Sequence, residues 1–551
     1  MKLRKLLISV LVLVAILTLS ACGGDDSEPE VDESGKSIIR IFMNGGNEFE
    51  GRKKDSVWLK IEEEANVSLS IEGATHNSDY YQTLNPMINT GDIPDVIFTV
   101  PSSSIKAYNN WIEQDLFWNI DELFAEKPGE YSYLEALFNS AQYKNITFGD
   151  GAHTMIPYIN SNSGWAIYYR SDWLINVGYT TTGADGNVVA RTPKTIEEFA
   201  EVLKLFTEND PDGNGKKDTY GMSPYGEPFY LNPLYHAFGV TPDYDLDDEG
   251  HATLMYLTPE YKNFLSWFNE MYAKGYIDPQ FATNKNSADR EKFYEGKSGI
   301  LITNAENHVT WIADAFEGAN GVGKLTIGDA PVGTANLGKE GACGFSDWGG
   351  WWGGYSISKD CKDPHAVLRL FNYLYSPEGL MTRCHGIEGV HYEMVDGEVK
   401  ALIDGRNEEP DGTFAVCLQQ NGSTAPTGYY KFGAAFSGNF TWNEDFTALK
   451  SKVEPNIIDQ RYSDLIALGV EKNKLCSSKL TNVTGFYASF RTKMSKIEDE
   501  AITYSIQAIM GDKNLTSDYD ALLEQLNGKT YDWNGVQKMI EEVASKAGIT
   551  G

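Results

Sequence analysis

A nine-residue loop, from Asp210 to Asp218, has the spacing of oxygen ligands that a calcium ion needs. Asp, Asp, Asn and Asp stand at its positions 1, 3, 5 and 9, and glycine stands at position 6, as in calcium loops of the EF-hand type. Alternate residues of a tight loop point their oxygens at one centre, and position 7 contributes its backbone carbonyl. We therefore predict a structural Ca²⁺ site whose ligands are Asp210, Asp212, Asn214, Lys216 and Asp218.

The loop departs from the calcium pattern at position 12. Gly221 stands there in place of the glutamate that binds the ion with both of its oxygens. The alternative interpretation is an acidic turn that binds no metal ion.

A second stretch, from Trp348 to Tyr355, mixes large aromatic side chains with pairs of glycines. Flat rings stack against the C–H faces of sugars, and glycines let a ligand approach the backbone closely. We predict that Trp348, Trp351 and Trp352 line a saccharide site. The alternative is that some of these rings fill the core beneath the strand that follows.

Polar residues that follow predicted strands are further candidates, because open α/β sheets bind ligands at the carboxyl ends of their strands. Asn44, Asn47 and Glu48 follow the first predicted strand, which begins at Ser37. Ser102 follows the third predicted strand. We predict that these four residues contribute hydrogen bonds to a ligand.

The first hundred residues alternate between strand and helix patterns. β-rich runs cover residues 37–43 and 95–98, and apolar residues alternate with serines over 67–71. Helical stretches cover residues 57–62 and 80–88. The order strand, helix, strand, helix, strand is typical of an α/β layer with a mostly parallel sheet.

The same pattern restarts at residue 165, with a predicted strand over 165–169 and a helix that begins near 171. Thr195 and Glu198 form a capping box at the start of another helix. Its apolar stripe, which we predict to be core, consists of Ile196, Phe199, Val202, Leu203 and Phe206. Further helices are predicted over 366–375, 496–510 and 533–547.

The first 22 residues have the features of a secretory leader. A basic head precedes an apolar run over residues 6–17, which is too short to span a bilayer. The phrase Leu19-Ser20-Ala21-Cys22 resembles the lipobox of bacterial lipoproteins, in which the cysteine is acylated and the chain is cut before it. The resemblance predicts a signal peptide over 1–21, lipidation at Cys22 and an acidic flexible tether over 22–36. The alternative is an ordinary secretory signal beside a cysteine.

The chain is strongly acidic, with a formal net charge of −32, which becomes −35 if the three basic residues of the leader are removed. A surface of this sign repels nucleic acid and anionic lipid headgroups, so we exclude nucleic acid as a partner. The only membrane contact that we predict is the lipid anchor. We expect a monomer on the extracytoplasmic face of the cell membrane of a Gram-positive host.

Several phrases along the chain resemble the extracellular solute-binding proteins of carbohydrate ABC importers, in particular those of Gram-positive lipoproteins. The phrases are Thr90–Asp95, Tyr169–Leu174, Asn209–Asp218, Gly386–Tyr392 and Ala508–Gly511. The resemblance implies an α/β fold of two lobes, of the periplasmic-binding-protein type (class II). In it each lobe is a mostly parallel sheet flanked by helices, with a ligand cleft at the hinge.

The resemblance also implies which segments form each lobe. The N-terminal lobe would consist of residues 37–160 and 328–362, and the C-terminal lobe of residues 163–327 and 363–551. The implied function is capture of an oligosaccharide and its delivery to the permease subunits of an ABC importer, without a reaction on the ligand.

Sugar-binding relatives carry an aromatic residue before the helix that begins near 171, and this position is Tyr169. A second aromatic position corresponds to Trp311, with Asn304 nearby. Arg170 is either a ligand donor or a structural ion-pair partner, and we favour the second. In related alginate-binding proteins a loop similar to 210–218 holds calcium, and an acidic ligand of that loop is replaced here by Thr219.

Two rival functions remain open. One is a surface glycosidase or lyase, because the carboxylate pair of such an enzyme leaves no motif among 78 acidic residues. The GxSxG and HExxH motifs of hydrolases do not occur in the sequence. The other rival is a binding protein for a peptide or another non-sugar solute.

Overall fold

We analysed a computed structural model of the chain. It describes residues 29–44, 46, 54, 56–74, 78–99, 108, 110–140, 143, 147–148, 152–159, 165–242, 244–284, 288–304, 312, 315–316, 324–346, 351–396, 398–402, 475–476, 478–480, 487–546 and 548–549. Among these residues, no helix has both the length and the apolar character that crossing a bilayer requires.

The strands of the described residues, in chain order, are β1 (Ser37–Asn44), β2 (Val67–Ala74), β3 (Val96–Thr99), β4 (Ile156–Ile159), β5 (Trp165–Arg170), β6 (Thr180–Thr182), β7 (Val188–Ala190), β8 (Tyr220–Met222), β9 (Tyr244–Leu246), β10 (Ala252–Leu254), β11 (Ser298–Asn304), β12 (Leu325–Gly328), β13 (Phe345–Ser346), β14 (Trp351–Ile357), β15 (Tyr392–Val395), β16 (Glu398–Ala401) and β17 (Leu475–Cys476).

The α-helices of the described residues are α1 (Ser56–Ala65), α2 (Ser78–Thr90), α3 (Ile120–Glu126), α4 (Ser132–Phe138), α5 (Ser171–Asn176), α6 (Ile196–Glu208), α7 (Asn232–His236), α8 (Pro259–Ala273), α9 (Ala288–Tyr294), α10 (Pro364–Leu374), α11 (Pro377–His385), α12 (Tyr487–Met510), α13 (Ser517–Leu526) and α14 (Trp533–Lys546). Short 3₁₀ turns cover Pro228–Leu231, Met255–Leu257 and Phe281–Thr283.

Two larger sheets organise the chain. The first has the strand order β2-β1-β3-β14-β4, and the second has the order β12-β5-β11-β8. Helices lie against both sheets, which confirms the predicted α/β class of two lobes. The pairing is more mixed than the prediction of mostly parallel sheets. β14 runs antiparallel to both β3 and β4, and β5 runs antiparallel to both β11 and β12.

Each sheet has its own hydrophobic core. The first core contains side chains of β1 to β4, β14, α1 to α4 and α10. The second contains side chains of β5, α6, α8 and the three C-terminal helices α12 to α14. A smaller cluster, which includes Tyr168, Phe293 and Leu301, covers the other face of the second sheet. Because the two larger cores share no residue, the chain forms two separately packed lobes.

The packing departs from the predicted lobe boundaries at two places. Ala330 and Phe345 lie in the second core, although residues 328–362 were assigned to the N-terminal lobe. Helix α10 lies in the first core, although residues from 363 onwards were assigned to the C-terminal lobe. Its apolar stripe, which includes Val367 and Phe371, has no exposed surface and packs towards the first sheet.

The capping box is present at the start of α6. The Thr195 hydroxyl accepts the Glu198 N–H at 3.2 Å, and the Glu198 carboxylate accepts the Lys194 N–H at 2.7 Å. The five apolar residues of the predicted stripe are fully buried, which confirms that they are core. The sheet approaches this helix so closely that a side chain at Gly299 would overlap the Phe206 ring.

Candidate ligand-binding site and metal loop

The strands of the first sheet finish at one end, where Asn44, Thr99 and Ile159 are the last residues of β1, β3 and β4. Strand β14 begins at this same end, because Trp351 pairs with Ile159 and Gly354 pairs with Thr99. We use the name crossing end for this end of the first sheet together with the end of the second sheet that contains Trp165 and Asn304. Open α/β sheets bind ligands outside the carboxyl ends of their strands, so the crossing end is the expected ligand site.

Strands of the second sheet also end near the connections from β4 to β5 and from β13 to β14. Asn304, the last residue of β11, pairs with Trp165, the first residue of β5. Only residues 160–164 connect Ile159 to Trp165, so their Cα atoms lie within about 22 Å of each other. The return from Ser346 to Trp351 spans at most about 18 Å. The connections from β4 to β5 and from β13 to β14 therefore leave and enter at the crossing end.

Four of the predicted ligand residues lie at strand ends within this region, namely Asn44, Asn304, Trp351 and Trp352. Their positions follow from the strand register alone. The register of β14 against β4 shifts between Trp351 and Gly353, as at a β-bulge. The other predicted ligand residues, Asn47, Glu48, Ser102, Trp311 and Trp348, lie outside the described residues, as does Cys22.

Tyr169 does not have the exposed ring that its predicted ligand role requires. Its side chain is completely buried in the second core and lies edge-on to Phe199, with ring centroids 6.4 Å apart. Both faces of β5 are covered, so every residue of this strand is buried. Burial also raises the pKa of Tyr169 well above its ordinary value. The Tyr169 ring is therefore part of the second core in this structure.

An aromatic group at the crossing end was missed by the sequence analysis. Trp165 lies edge-on to Phe229 and Tyr230, with centroid distances of 5.8 and 5.2 Å. Tyr225 lies 4.3 Å from Tyr230, and all three partners of this group are half-buried rather than core. Half-buried rings beside strand ends offer faces for stacking. The sequence held only a weak signal for them, because Tyr225, Phe229 and Tyr230 follow no regular spacing.

A buried acid lies near this aromatic group. Asp289, at the start of α9, contributes to raising the pKa of Tyr230, whose burial is the main cause of a pKa of about 12. Burial also raises the pKa of Asp289 itself, and the positive charge of Arg290, whose Nε lies 3.9 Å from the Asp289 Oδ1, offsets only part of this shift. No hydrogen-bond partner of the Asp289 Oδ1 is found among the described residues.

Arg170 is a structural residue, as the sequence analysis favours. Its Nε and Nη2 donate to both carboxylate oxygens of Asp172, at 2.8 and 2.6 Å. The guanidinium also lies over the rings of Trp173 and Phe316, at 4.8 and 5.3 Å from their centroids. This buried two-point ion pair fixes the start of α5 against the second sheet.

The 210–218 loop folds tightly around its own side chains. Gly213 and Gly215 adopt φ values of +70° and +77°, which the reversals of a compact loop require. The Asp210 carboxylate accepts the backbone N–H groups of Asn214 and Gly215 at 3.1 and 3.0 Å. Asn176 anchors the loop to α5 by donating to the Pro211 carbonyl at 2.8 Å.

The Asn214 side chain lies between two carboxylates of the loop. Its amide nitrogen donates to Asp212 at 2.7 Å and to Asp218 at 3.2 Å. The pKa of Asp212 is raised, first by burial and then by its acidic neighbours. Among the described residues, no group of three or more carboxylate, imidazole or thiolate side chains has the arrangement of a metal site. The Thr219 hydroxyl donates to the Phe206 carbonyl at 2.8 Å, so it points away from the loop centre.

A cavity of about 460 Å³ lies elsewhere, on the helices of the first lobe. Its lining residues are Glu64, Glu130, Tyr131, Tyr133, Arg369, Asn372, Tyr373, Ser376, Pro377 and Glu378. Several of their polar groups are already paired within the protein. Tyr131 bonds to His365 at 2.9 Å, and Tyr373 bonds to Thr382 at 2.8 Å. None of the residues that line this cavity belongs to the strand ends that form the crossing end.

Comparison with protein families gives a match over residues 53–381 to the model of the bacterial extracellular solute-binding proteins. A curated relative is the polygalacturonan/rhamnogalacturonan-binding protein YtcQ of Bacillus subtilis, which is 25% identical over 416 residues, 74% of this chain and 77% of the relative. Another is lipoprotein LipO of the same organism, 26% identical over 59% of this chain and 62% of LipO. The matched part thus spans less than two thirds of LipO.

Solved structures show the same fold. The alginate-binding protein AlgQ2, in a structure without calcium ion, superposes with a TM-score of 0.64 at 18% identity, over 92% of this chain and 98% of AlgQ2. An EF-hand mutant of the Streptococcus pneumoniae ABC-transporter substrate-binding protein FusA, in complex with fructo-nystose, superposes with a TM-score of 0.58 at 15% identity. That match covers 93% of this chain and 99% of FusA. At these identities the likeness establishes the two-lobed architecture.

The role of Tyr169 leads to a prediction about its hydroxyl group. Among the described residues this buried oxygen has no hydrogen-bond partner, and leaving a buried donor unpaired costs about 1–3 kcal/mol. We therefore expect Tyr169→Phe to leave the free energy of unfolding unchanged or to raise it, as measured by urea denaturation. The matched control is Tyr108→Phe, because the equally buried Tyr108 hydroxyl bonds to Ser356 at 2.8 Å and Thr154 at 2.9 Å.

Tyr108→Phe should lower the free energy of unfolding by roughly 1 kcal/mol or more. If Tyr169→Phe destabilises the protein as much as the control, or weakens ligand binding without destabilising it, then the ring is not a simple packing element.

Proposed function

Because the chain belongs to the bacterial extracellular solute-binding proteins, we propose that it captures an oligosaccharide outside the cytoplasm and delivers it to the permease subunits of an ABC importer. The observation that carries this proposal is the crossing end. There the carboxyl ends of strands from two separately packed lobes meet a group of half-buried aromatic rings. Rings of this kind supply the stacking surface that pyranose and furanose faces need.

Names of the relatives support a saccharide in particular. YtcQ is named for polygalacturonan and rhamnogalacturonan, AlgQ2 for alginate, and the FusA structure contains a fructo-oligosaccharide. The ligand would be held between lobes that close around it, and the closed form would be the one that the permease recognises. We propose binding without chemistry on the ligand, as the names of these relatives describe binding proteins rather than enzymes.

The first prediction of this proposal concerns the ligand. Isothermal titration with a neutral fructo-oligosaccharide and with a galacturonate oligomer should give saturable binding to at least one of them. Replacing one stacked ring should cost roughly 1–3 kcal/mol of binding, or about five- to over a hundredfold in affinity. We expect this loss for Tyr230→Ala and for at least one of Trp351→Ala and Trp352→Ala, with little change in Tm.

The control for ring removal is Tyr272→Ala, because Tyr272 is a half-buried tyrosine on α8 that packs against Phe281. It should not change the affinity. Binding of peptides but not of saccharides would contradict the proposal, and so would cleavage of the saccharide, detected by chromatography of the titrated mixture.

We further propose that the 210–218 loop binds a structural calcium ion. The amide nitrogen of Asn214 occupies the place between Asp212 and Asp218 that a cation would take. Turning this amide over would bring its oxygen there instead, in exchange for the bond that this oxygen accepts from the Lys216 N–H at 2.8 Å. A cation would also counteract the effects of burial and of the neighbouring carboxylates, which together raise the pKa of Asp212. The ion would stabilise the contact between the loop and α5.

Calcium should then stabilise the folded state by RT ln(1 + [L]/Kd), which is about 2.7 kcal/mol at one hundred times Kd. The measurement is Tm by calorimetry with excess chelator and with added calcium. Asp212→Asn should abolish the calcium-dependent rise. Asp185→Asn should keep it, because Asp185 makes the same local bonds to Asn187, at 3.0 and 2.7 Å, outside the loop. A wild-type Tm that ignores both chelator and calcium would exclude the ion.

We also propose that Cys22 carries a lipid anchor, a position that lies outside the described residues. The similarity to LipO, which is named a lipoprotein, supports this. Cys22→Ala should move the protein from the membrane fraction to the soluble fraction or leave it unprocessed. The control, Cys343→Ala, should remain in the membrane fraction. A Cys22→Ala protein that stays with the membrane and has a correctly cut terminus would refute the anchor.

A further inference from the structure

Ser346 is the last described residue of the second lobe before the chain reaches Trp351 in the first sheet. Its strand, β13, is only two residues long and pairs with the two residues of β17. So short a ladder holds the chain weakly. The side chain and backbone of Ser346 are held in addition by three residues of α7, Asn232, Tyr235 and His236.

The geometry assigns a direction to each hydrogen bond of this group. The Val240 carbonyl can only accept, so the His236 Nδ1, 2.6 Å away, carries the proton. The His236 Nε2 is then an acceptor, and the Ser346 hydroxyl donates to it at 3.0 Å. Because the hydroxyl proton is used there, Tyr235 donates to the Ser346 Oγ at 3.1 Å. The Ser346 N–H donates to the Asn232 side-chain oxygen at 3.0 Å.

All four residues are buried. Asn232 and Tyr235 have no exposed surface, and His236 and Ser346 are each 1% exposed. Burial lowers the pKa of His236 to about 4, and the Val240 carbonyl only partly offsets this shift. The imidazole is therefore neutral at neutral pH, the state in which its Nε2 can accept. The hydroxyl and the N–H of Ser346 thus both have partners in a buried site.

This buried cluster of four residues is unsuited to catalysis, but it can fix the position of the chain at Ser346. Ser346 has no surface through which a substrate can reach its hydroxyl, so the Ser–His contact is not a nucleophile pair. Its bonds instead determine where the chain leaves the second lobe. Four residues separate Ser346 from Trp351, so the Cα atoms of Ser346 and Trp351 lie within about 18 Å of each other, and the position of Ser346 limits where β14 can begin.

We propose that His236 and Ser346 form a latch that positions the start of β14, where Trp351 and Trp352 lie, for ligand binding. Asn232 and Tyr235 complete this latch. His236 and Ser346 are positioning residues, because they hold the segment that leads to the site. The proposal rests on the proposed function for its effect on affinity, but its effect on the chain is independent of any ligand.

The test compares Ser346→Ala with Ser505→Ala. Ser505 is the matched control, because it is also 1% exposed, lies in the second core on α12 and has a tyrosine hydroxyl, that of Tyr261, 3.3 Å away. Both variants lose a buried serine hydroxyl, so we expect similar decreases of Tm. Only Ser346→Ala should raise the Kd for the saccharide that the wild type binds, by about tenfold, the effect of one buried hydrogen bond.

His236→Gln tests the assigned direction, because its amide oxygen can replace the Nε2 acceptor. It should keep a Kd closer to that of the wild type than His236→Leu, which has no acceptor. Hydrogen exchange without ligand provides the second readout. Peptides covering residues 345–357 should exchange faster in Ser346→Ala and at the wild-type rate in Ser505→Ala.

The two readouts separate failure of the latch from failure of the proposed function. If the wild type binds no saccharide, the proposed function fails, and the exchange rates still decide on the latch. Equal exchange over residues 345–357 in both serine variants would overturn the latch. An equal Kd in both variants, with a wild type that binds, would overturn its role in positioning the site.

Discussion

The architecture depends on one covalent constraint, which is the shortness of two connections between the lobes, from β4 to β5 and from β13 to β14. Five residues lead from the end of β4 to the start of β5, and four lead from β13 to β14. Connections this short force strand ends of both sheets to the same end of the molecule. Because those ends are mainly carboxyl ends, connectivity alone makes this end the expected ligand site, before any particular side chain contributes.

The two cores make the lobes behave as separate bodies. Each buries its own aromatic and aliphatic side chains, and close packing of this kind resists deformation. A change of shape is therefore concentrated in the connections, as in hinge motions of other two-lobed proteins. A ligand that touches both lobes favours the closed arrangement by the difference between its affinities for the two states. The buried group around Ser346 limits where one of these hinges can begin.

Local signals in the sequence predicted local structure well. The capping box at Thr195 and the apolar stripe of α6 needed only the helical period, and both are present. The preference for an ion pair at Arg170 rested on the adjacent Asp172, which lies within reach by sequence alone. Strand ends such as Asn304 could be located because apolar runs end abruptly there.

The sequence patterns could not predict which distant residues contact each other in the fold. Tyr169 lies on a strand covered on both faces, and a buried strand gives no alternation by which to tell a core ring from a ligand ring. Helix α10 has a clear apolar stripe, but the stripe does not say which of two sheets it faces. Trp165 and Tyr230 come together only through the fold, since 65 positions separate them in the sequence. Likewise, the Ser346–His236 contact joins residues 110 positions apart.

The central claim is that a saccharide bound at the crossing end draws the two lobes together. Small-angle X-ray scattering tests it most directly, on one preparation measured with and without a saturating concentration of the saccharide identified by titration. The account predicts a smaller radius of gyration with the saccharide, and a smaller change when Tyr230→Ala is measured at the same concentration. An unchanged radius of gyration in a sample that calorimetry shows to be saturated would contradict it.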